Sequence, residues 1–388
     1  MSYPTVKLKD ISLIKTGKLD SNAAVADGVY PFFTCDPNTL RINDWAYDTE
    51  AVLLAGNNAS GNYTAKYYKG KFNAYQRVYI IETADAERLN TRYLCYAMNQ
   101  QLRLLKTMSS GSTTKFLTLG MLHGLDIPLP VIEVQDSIVT ILSSYDDLIE
   151  NNQKQIKLLE EAAQRLYKEW FVDLRFPGHE TSPIVDGVPE GWKKVCLDDV
   201  ISKITTGLNP RKNFVLGIGK NYYVTIKNMA NNSIYLNDKC DRIDDEAIEK
   251  INSRSDLQLG DILFSGIGTI GRVYMIDIPP TNWNVSESVF TMRANNLVSK
   301  EYLYLLLLSH DMQSYCDQNA HGVAQRGIRM ADLRAYKFSL PSKNVLVSFT
   351  SLAKPIIEKT QCLRQQITLL EETRDRLLPK LMSGEIEV

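Results

Sequence analysis

Cysteine and histidine are scarce in this chain, and neither is grouped. The six cysteines (35, 95, 196, 240, 316 and 362) form no C-x-x-C pair, and the four histidines are dispersed. That excludes a zinc site of recognisable spacing and gives no sign of a disulfide framework, leaving the cysteines as small apolar residues. No run reaches eighteen uninterrupted apolar residues. The longest, from Tyr302 to Leu308, fits a buried helix rather than a membrane span. Met1 to Lys7 lacks the basic-then-apolar order of a signal peptide, so a cytoplasmic location and no membrane partner are expected. Excess charge of one sign is also missing, the net being −1. Residues 1–134 hold 14 basic against 12 acidic side chains, residues 180–345 hold 19 against 19, and only 135–179 leans acidic, 5 against 8. A wholesale polyanion binder is excluded, and any surface for nucleic acid must be a local patch.

Recognisable reaction centres are absent too. There is no Walker A loop, no H-E-x-x-H, no G-x-S-x-G, and no Asp/Asn-Pro-Pro-aromatic tetrapeptide of the adenine methyltransferases. No catalytic residue or metal ligand is assigned. The densest carboxylate cluster, Asp244-Asp245-Glu246, reads as the start of a helix. Gly266-Ile267-Gly268-Thr269-Ile270-Gly271 fits G-x-G-x-x-G, but a dinucleotide fingerprint opens a helix and is followed about twenty residues on by an acidic residue. Here Arg272 to Ile278 reads as another strand, so the glycines mark a tight turn between strands.

What the chain does contain is one unit written twice, with a period near 211 residues. Val6-Lys7-Leu8 leading to Thr16-Gly17 answers Val195-Cys196-Leu197 leading to Thr206-Gly207. Val52-Leu53-Leu54-Ala55-Gly56 answers Ile262-Leu263-Phe264-Ser265-Gly266, and Phe72-Asn73 answers Trp283-Asn284. Leu125 to Pro130 answers Tyr336 to Pro341, and Leu158-Leu159-Glu160-Glu161 answers Leu369-Leu370-Glu371-Glu372. Such a period is too long for a solenoid repeat and marks duplication of a whole domain with its following helix. Each copy reads as a mixed α/β globule, with short strands broken by glycine and one helix, Thr91 to Lys106 and Lys300 to Tyr315.

A long helix closes each copy. Ile138, Leu142, Tyr145, Ile149, Asn152, Ile156, Leu159, Ala163, Leu166 and Trp170 recur at alternating spacings of four and three. Phe349, Ala353, Ile356, Thr360, Leu363, Ile367, Leu370, Arg374, Leu377 and Leu381 do the same. A stripe with a mean period of 3.5 is coiled-coil patterning, and each long helix is the expected partner of the other, with Asn152 as a polar register mark. The prolines and glycines of 177–191 cannot continue a helix and form the linker. The segments are therefore 1–134 (first globule), 135–176 (long helix), 177–192 (linker), 193–344 (second globule) and 345–388 (long helix). The fold class is α+β: two tandem mixed α/β domains, each followed by a long helix, the helices pairing as an antiparallel coiled coil.

Inside the repeat the frame is retained while loop side chains change. Gly111-Ser112-Thr113-Thr114-Lys115-Phe116 aligns with Gly322-Val323-Ala324-Gln325-Arg326-Gly327, and both keep a cation. Amides, hydroxyls and cations are the groups that read base edges and hold phosphates. The candidate DNA contacts are Asn57, Asn58, Lys66, Lys71, Arg77, Thr113, Thr114 and Lys115 in the first copy. In the second they are Arg211, Lys212, Lys227, Arg272, Gln325, Arg326 and Arg329.

Several motifs resemble the specificity subunits of type I restriction–modification systems, over essentially the whole chain. Leu166-Tyr167-Lys168-Glu169-Trp170-Phe171-Val172-Asp173 running to Phe176-Pro177-Gly178 is similar to that family's central conserved region, and Leu377 to Ile386 to its C-terminal one. Pro189-Glu190-Gly191-Trp192 and Gly260-Asp261-Ile262-Leu263 are similar to its target-recognition-domain signatures; the first globule departs, with Tyr3-Pro4-Thr5-Val6 and Glu50-Ala51-Val52-Leu53. The resemblance implies a non-catalytic subunit whose two domains read the halves of an asymmetric, bipartite site on double-stranded DNA. The helices, each about 50 Å long at 1.5 Å per residue, would act as spacer. It also implies docking of two modification subunits, with Tyr167, Trp170, Phe171, Leu377 and Leu381 as contacts, and joining of restriction subunits. S-adenosylmethionine, ATP and magnesium are expected only in those partners. The rival readings are a coiled-coil protein–protein adapter without DNA reading and a nucleotide-dependent oxidoreductase.

Overall fold

The computed structural model describes residues 3–58, 63–108, 115–323 and 326–388. Its contacts divide the chain into two compact units, one of residues 1–152 with 366–388, the other of residues 153–365. The long helices run Ile132–Tyr167 and Lys343–Ser383, and each belongs to both units in turn.

In the first unit a six-stranded sheet has the order Ser12–Thr16, Val78–Thr83, Tyr47–Ala55, Ala65–Ala74, Tyr30–Phe33, Leu40–Ile42. Tyr30–Phe33 runs parallel to Ala65–Ala74, and every other neighbouring pair is antiparallel. The helix Thr91–Met108 covers it. The second unit repeats this order in two pieces. One sheet is Ile201–Thr206, Val289–Ala294, Ile262–Ser265, Val273–Met275, and the other is Asp241–Ile243, Asn221–Val224, Trp283–Val285. The single strand Ala65–Ala74 thus has two counterparts, separated by a segment containing Pro279-Pro280. Two consecutive residues without an N–H cannot serve a central strand, so the sheet parts there.

Fine details recur across the copies. Asn73 Oδ1 accepts from the Ala74 N–H (3.0 Å), and Asn284 Oδ1 from the Val285 N–H (2.7 Å). A Cβ on Gly17 would lie 2.2 Å from Ala74 O, and one on Gly207 1.6 Å from Val285 O, so both positions need glycine. The helix anticipated over 300–315 is two helices, Lys300–Leu308 and His310–Gln318. Ser309 stands between them in an extended conformation, its Oγ accepting from the Met312 N–H.

The long-helix seam is buried or half-buried throughout. In the first unit Ile138 and Leu142 share a core with Leu378, Leu381 and Met382; in the second, Ala163, Tyr167 and Trp170 share one with Phe349, Ala353 and Ile357. Rising numbers on one helix meet falling numbers on the other, which makes the pairing antiparallel. Asn152 is buried and donates to Gln366 (3.4 Å), while Asp146 pairs with Arg374 (2.7 Å) and Glu160 with Arg364.

The packing also places the residues expected as partner contacts. The first helix ends in a π-turn, Lys168–Val172, which turns the consecutive residues Trp170 and Phe171 into one aromatic cluster. Phe171 lies 4.6 Å from the Phe349 ring and 6.0 Å from Trp192, and Trp192 lies 5.2 Å from Phe176. Tyr167, Trp170 and Leu381 are core residues, and Phe171 and Leu377 pack against those cores half-buried.

Candidate nucleic-acid interface

In each unit a strand delivers the chain to a glycine, and a distant loop is fastened to that glycine's carbonyl. Tyr47–Ala55 leads to Gly56, whose oxygen accepts from the Leu117 N–H (2.8 Å). Ile262–Ser265 leads to Gly266, whose oxygen accepts from the Ile328 N–H (2.8 Å). The glycine N–H groups bond to Arg77 O (2.8 Å) and Ser288 O (2.9 Å), which are themselves repeat mates. Bridges continue outward: Asn57 faces Phe116 and Asn58 faces Lys115 in the first unit, and Ile267 faces Gly327 in the second. The sequence separated these segments by about sixty residues, and the fold makes them neighbours.

Around Gly56, Cys35 Sγ donates to Asn57 Oδ1 (2.7 Å), which brings the 34–39 loop alongside. Burial pushes the Cys35 thiol above its usual range. Arg77 is exposed next to this site. Lys66 turns back and donates to Pro37 O (2.6 Å) and Thr39 Oγ1 (3.3 Å). Desolvation lowers its pKa against the opposing pull of Asp36. Lys71 stands over the Trp45 ring at 4.5 Å, a cation–π contact. Thr113 and Thr114 lie outside the described residues.

Around Gly266 the G-x-G-x-x-G segment is the turn of an antiparallel hairpin, Ile262–Ser265 with Val273–Met275, and no helix follows it. Gly268 has φ +81°, and its N–H donates to Arg326 O (2.7 Å). Ser265 Oγ ties the turn together, donating to Thr269 O (2.6 Å) and accepting from the Arg272 N–H (2.8 Å). Arg272 is half-buried, and its guanidinium donates to Ile226 O (2.8 Å) and to Met229 O. That bond anchors the 226–228 turn, which presents exposed Lys227 beside Gly268. Arg272 and Lys66 thus also hold backbone carbonyls of neighbouring turns.

Arg211 and Lys212 are exposed on the short helix Pro210–Asn213, whose N-cap Asn209 donates to Glu287 (2.8 Å), next to Ser288. Arg326 is exposed and donates to Asp317 O (2.6 Å), while exposed Arg329 immediately precedes the helix Met330–Arg334. His321, unassigned above, pairs with Asp332 at 3.1 Å beside them. Gln325 lies outside the described residues. Isolated histidines and loop residues such as Cys35 carried no spacing signal; only the topology brings them here. Among the described residues no three His, Cys, Asp or Glu side chains gather as metal ligands, and no helix is long and apolar enough to cross a membrane.

Known proteins share this arrangement. The sequence profile of the type I restriction modification DNA specificity domain matches residues 2–161 and again 189–371. The type I restriction enzyme EcoDI specificity subunit of Escherichia coli is 31% identical over 235 residues, covering 54% of this chain and 52% of that protein. This chain thus spans about half the length of that relative. The MjaIX specificity subunit of Methanocaldococcus jannaschii is 28% identical over 306 residues, covering 76% and 68%. A crystal structure of the type I restriction–modification S subunit from M. genitalium superposes with a TM-score of 0.63 at 16% identity, over 98% of this chain and 96% of that one, and so shares the fold. With the profile matching both copies of the repeat, the chain belongs to the type I restriction–modification DNA specificity family.

Proposed function

We propose that this chain is the DNA-reading, non-catalytic subunit of a type I restriction–modification assembly, and that each unit reads one half of a bipartite site. The observation that carries this is the paired construction of the two loop sites. The same two backbone bonds fasten the same segments in both units, while the side chains they present differ. A constant frame with different displays is what reading two unlike half-sites requires, so the site is asymmetric. Exposed Arg77, Arg211, Lys212, Lys227, Arg326 and Arg329 supply the cations for phosphate contacts on otherwise charge-balanced units.

Adenine methylation and restriction fall to modification and restriction subunits, which bring S-adenosylmethionine, ATP and magnesium. Two modification subunits suit a chain written twice. Their contacts are better sought on the outer faces of the long helices than at the buried motif residues. Leu158 and Leu369, repeat mates, are 65% and 64% exposed there.

The test is a map of N6-methyladenine in a methylation-free host expressing the cognate modification subunit with and without this chain. A new bipartite motif appearing only with the chain is the expected result. A complex that forms and yields no motif would return the chain to the adapter reading.

A further inference from the structure

Each loop site carries an exposed apolar side chain on the segment fastened to its glycine turn, among other exposed apolar residues such as Trp45 and Val215 elsewhere in the chain. In the first unit this is Phe116, 54% exposed, on the two-residue strand that faces Asn57, immediately before the buried, fastened Leu117. At the corresponding position the second unit has Gly327, which offers no side chain. Its apolar group is instead Val323, fully exposed. It rises from a loop closed at its base by reciprocal bonds between His321 and Gly327 (2.8 and 2.9 Å). Among the described residues neither belongs to a hydrophobic core. Single exposed apolar residues are ordinary on a protein surface. These two differ in lying on segments pinned to the glycine turns, at the place proposed to meet base edges.

The chemistry of a base edge then selects the ligand. Phosphates, amino groups and ring nitrogens set against an aliphatic or aromatic group lose water and gain no hydrogen bond, which costs free energy. The apolar feature of the major-groove edge is the 5-methyl group of thymine. Resting on the DNA-reading function above, we propose that Phe116 and Val323 are specificity-determining residues, each contacting a thymine 5-methyl group in the half-site its unit reads. Phe116 answers Gly327 in the repeat, so the two units present their apolar group from different positions and the thymine sits at different places in the two half-sites.

The test uses the complex of the full chain with its modification subunits, on duplexes carrying the mapped site. Each thymine is replaced in turn by deoxyuridine, which removes the methyl and keeps the hydrogen-bonding groups. One position in each half-site should lose affinity about fourfold, the worth of one buried methyl. Phe116→Ser should abolish the sensitivity at one of these positions and Val323→Ser at the other, while Phe116→Leu keeps it. Tolerance of deoxyuridine throughout, sensitivity that survives the serine variants, or a half-site without a T·A pair overturns the proposal. Absence of any mapped site overturns the DNA-reading function itself, and this inference with it.

Discussion

The two units are copies with different interiors. At the place where the globule's helix meets the long-helix pair, the first unit holds a cavity of about 590 Å³ lined by Tyr67, Arg92, Tyr96, Asp146, Asp147 and Arg374 among others. At the corresponding positions the second unit has a space of about 20 Å³ lined mainly by apolar side chains and, beside it, a pocket of about 320 Å³ that includes Met275, Ile276, Glu358 and Gln361. Two substitutions between repeat mates carry much of this difference: Asp146 answers Ile357, and Arg374 answers Ala163. Each unit keeps an ion pair between the long helices here, Asp146 with Arg374 in the first and Glu160 with Arg364 in the second, at positions that are not repeat mates. The Gly-Asp-Ile-Leu signature diverges similarly. Asp261 is 1% exposed and forks the Arg293 guanidinium with bonds of 2.7 and 2.8 Å, whereas its counterpart Ala51 is buried and carries no charge, and the neighbouring half-buried Glu50 pairs with exposed Lys69 at 2.9 Å. The backbone bonds at Gly56 and Gly266 survived all of this, which marks them as the part under common constraint.

Eight substitutions, taken in four pairs, sharpen or break that comparison. Trp170→Ala should cost about 4 kcal/mol and remove hydrogen-exchange protection from the second unit, while Leu381→Ala should cost about 3 kcal/mol and act on the first. Loss confined to the opposite unit in either case would break the assignment of cores. Next, Asp261→Asn should cost about 2 kcal/mol in denaturant unfolding, because a buried charged acceptor is lost. Glu50→Gln, the carboxylate of the first unit's Glu50-Ala51-Val52-Leu53 segment, should cost under about 1 kcal/mol, being partly solvated; equal costs would mean that the two segments do the same work. In the first unit, Arg374→Ala should destabilise by about 1–2 kcal/mol through the loss of Asp146's partner. Adding Asp146→Ile, which imports the second unit's pair, should recover most of it, and a double variant worse than the single would refute the exchange. The smallest effect is expected from Arg326→Ala, which should lower the slope of log affinity against log salt by about one and leave unfolding unchanged. Arg272→Ala should do the reverse.

Much of the architecture was legible in the sequence because it rests on periodicity. The 211-residue period located both units, the 3.5-residue stripes located the long helices, and the strand after Gly271 ruled out a dinucleotide loop. What escaped was the direction in which individual side chains turn. Lys66 and Arg272 look like any exposed cation in a string of residues, and only packing shows the carbonyls they hold. Tyr167, Trp170 and Leu381 stood out through a family motif, and a motif marks positions under constraint without saying whether the constraint is a partner or a core. Ser309 broke a helix that its apolar neighbours favoured, because a hydroxyl can cap a new turn as readily as it can sit in an old one.

Residues 366–388 complete the core of the unit that begins the chain, whereas the other unit, 153–365, is contiguous. On the ribosome, then, the order of synthesis and the order of completion are opposite. Ile138 and Leu142 emerge early and wait for Leu378 and Leu381, an interval of roughly 10–50 s at 5–20 residues per second. Through that interval the nascent first globule carries an uncovered apolar seam, and it is completed only after the second one is already made.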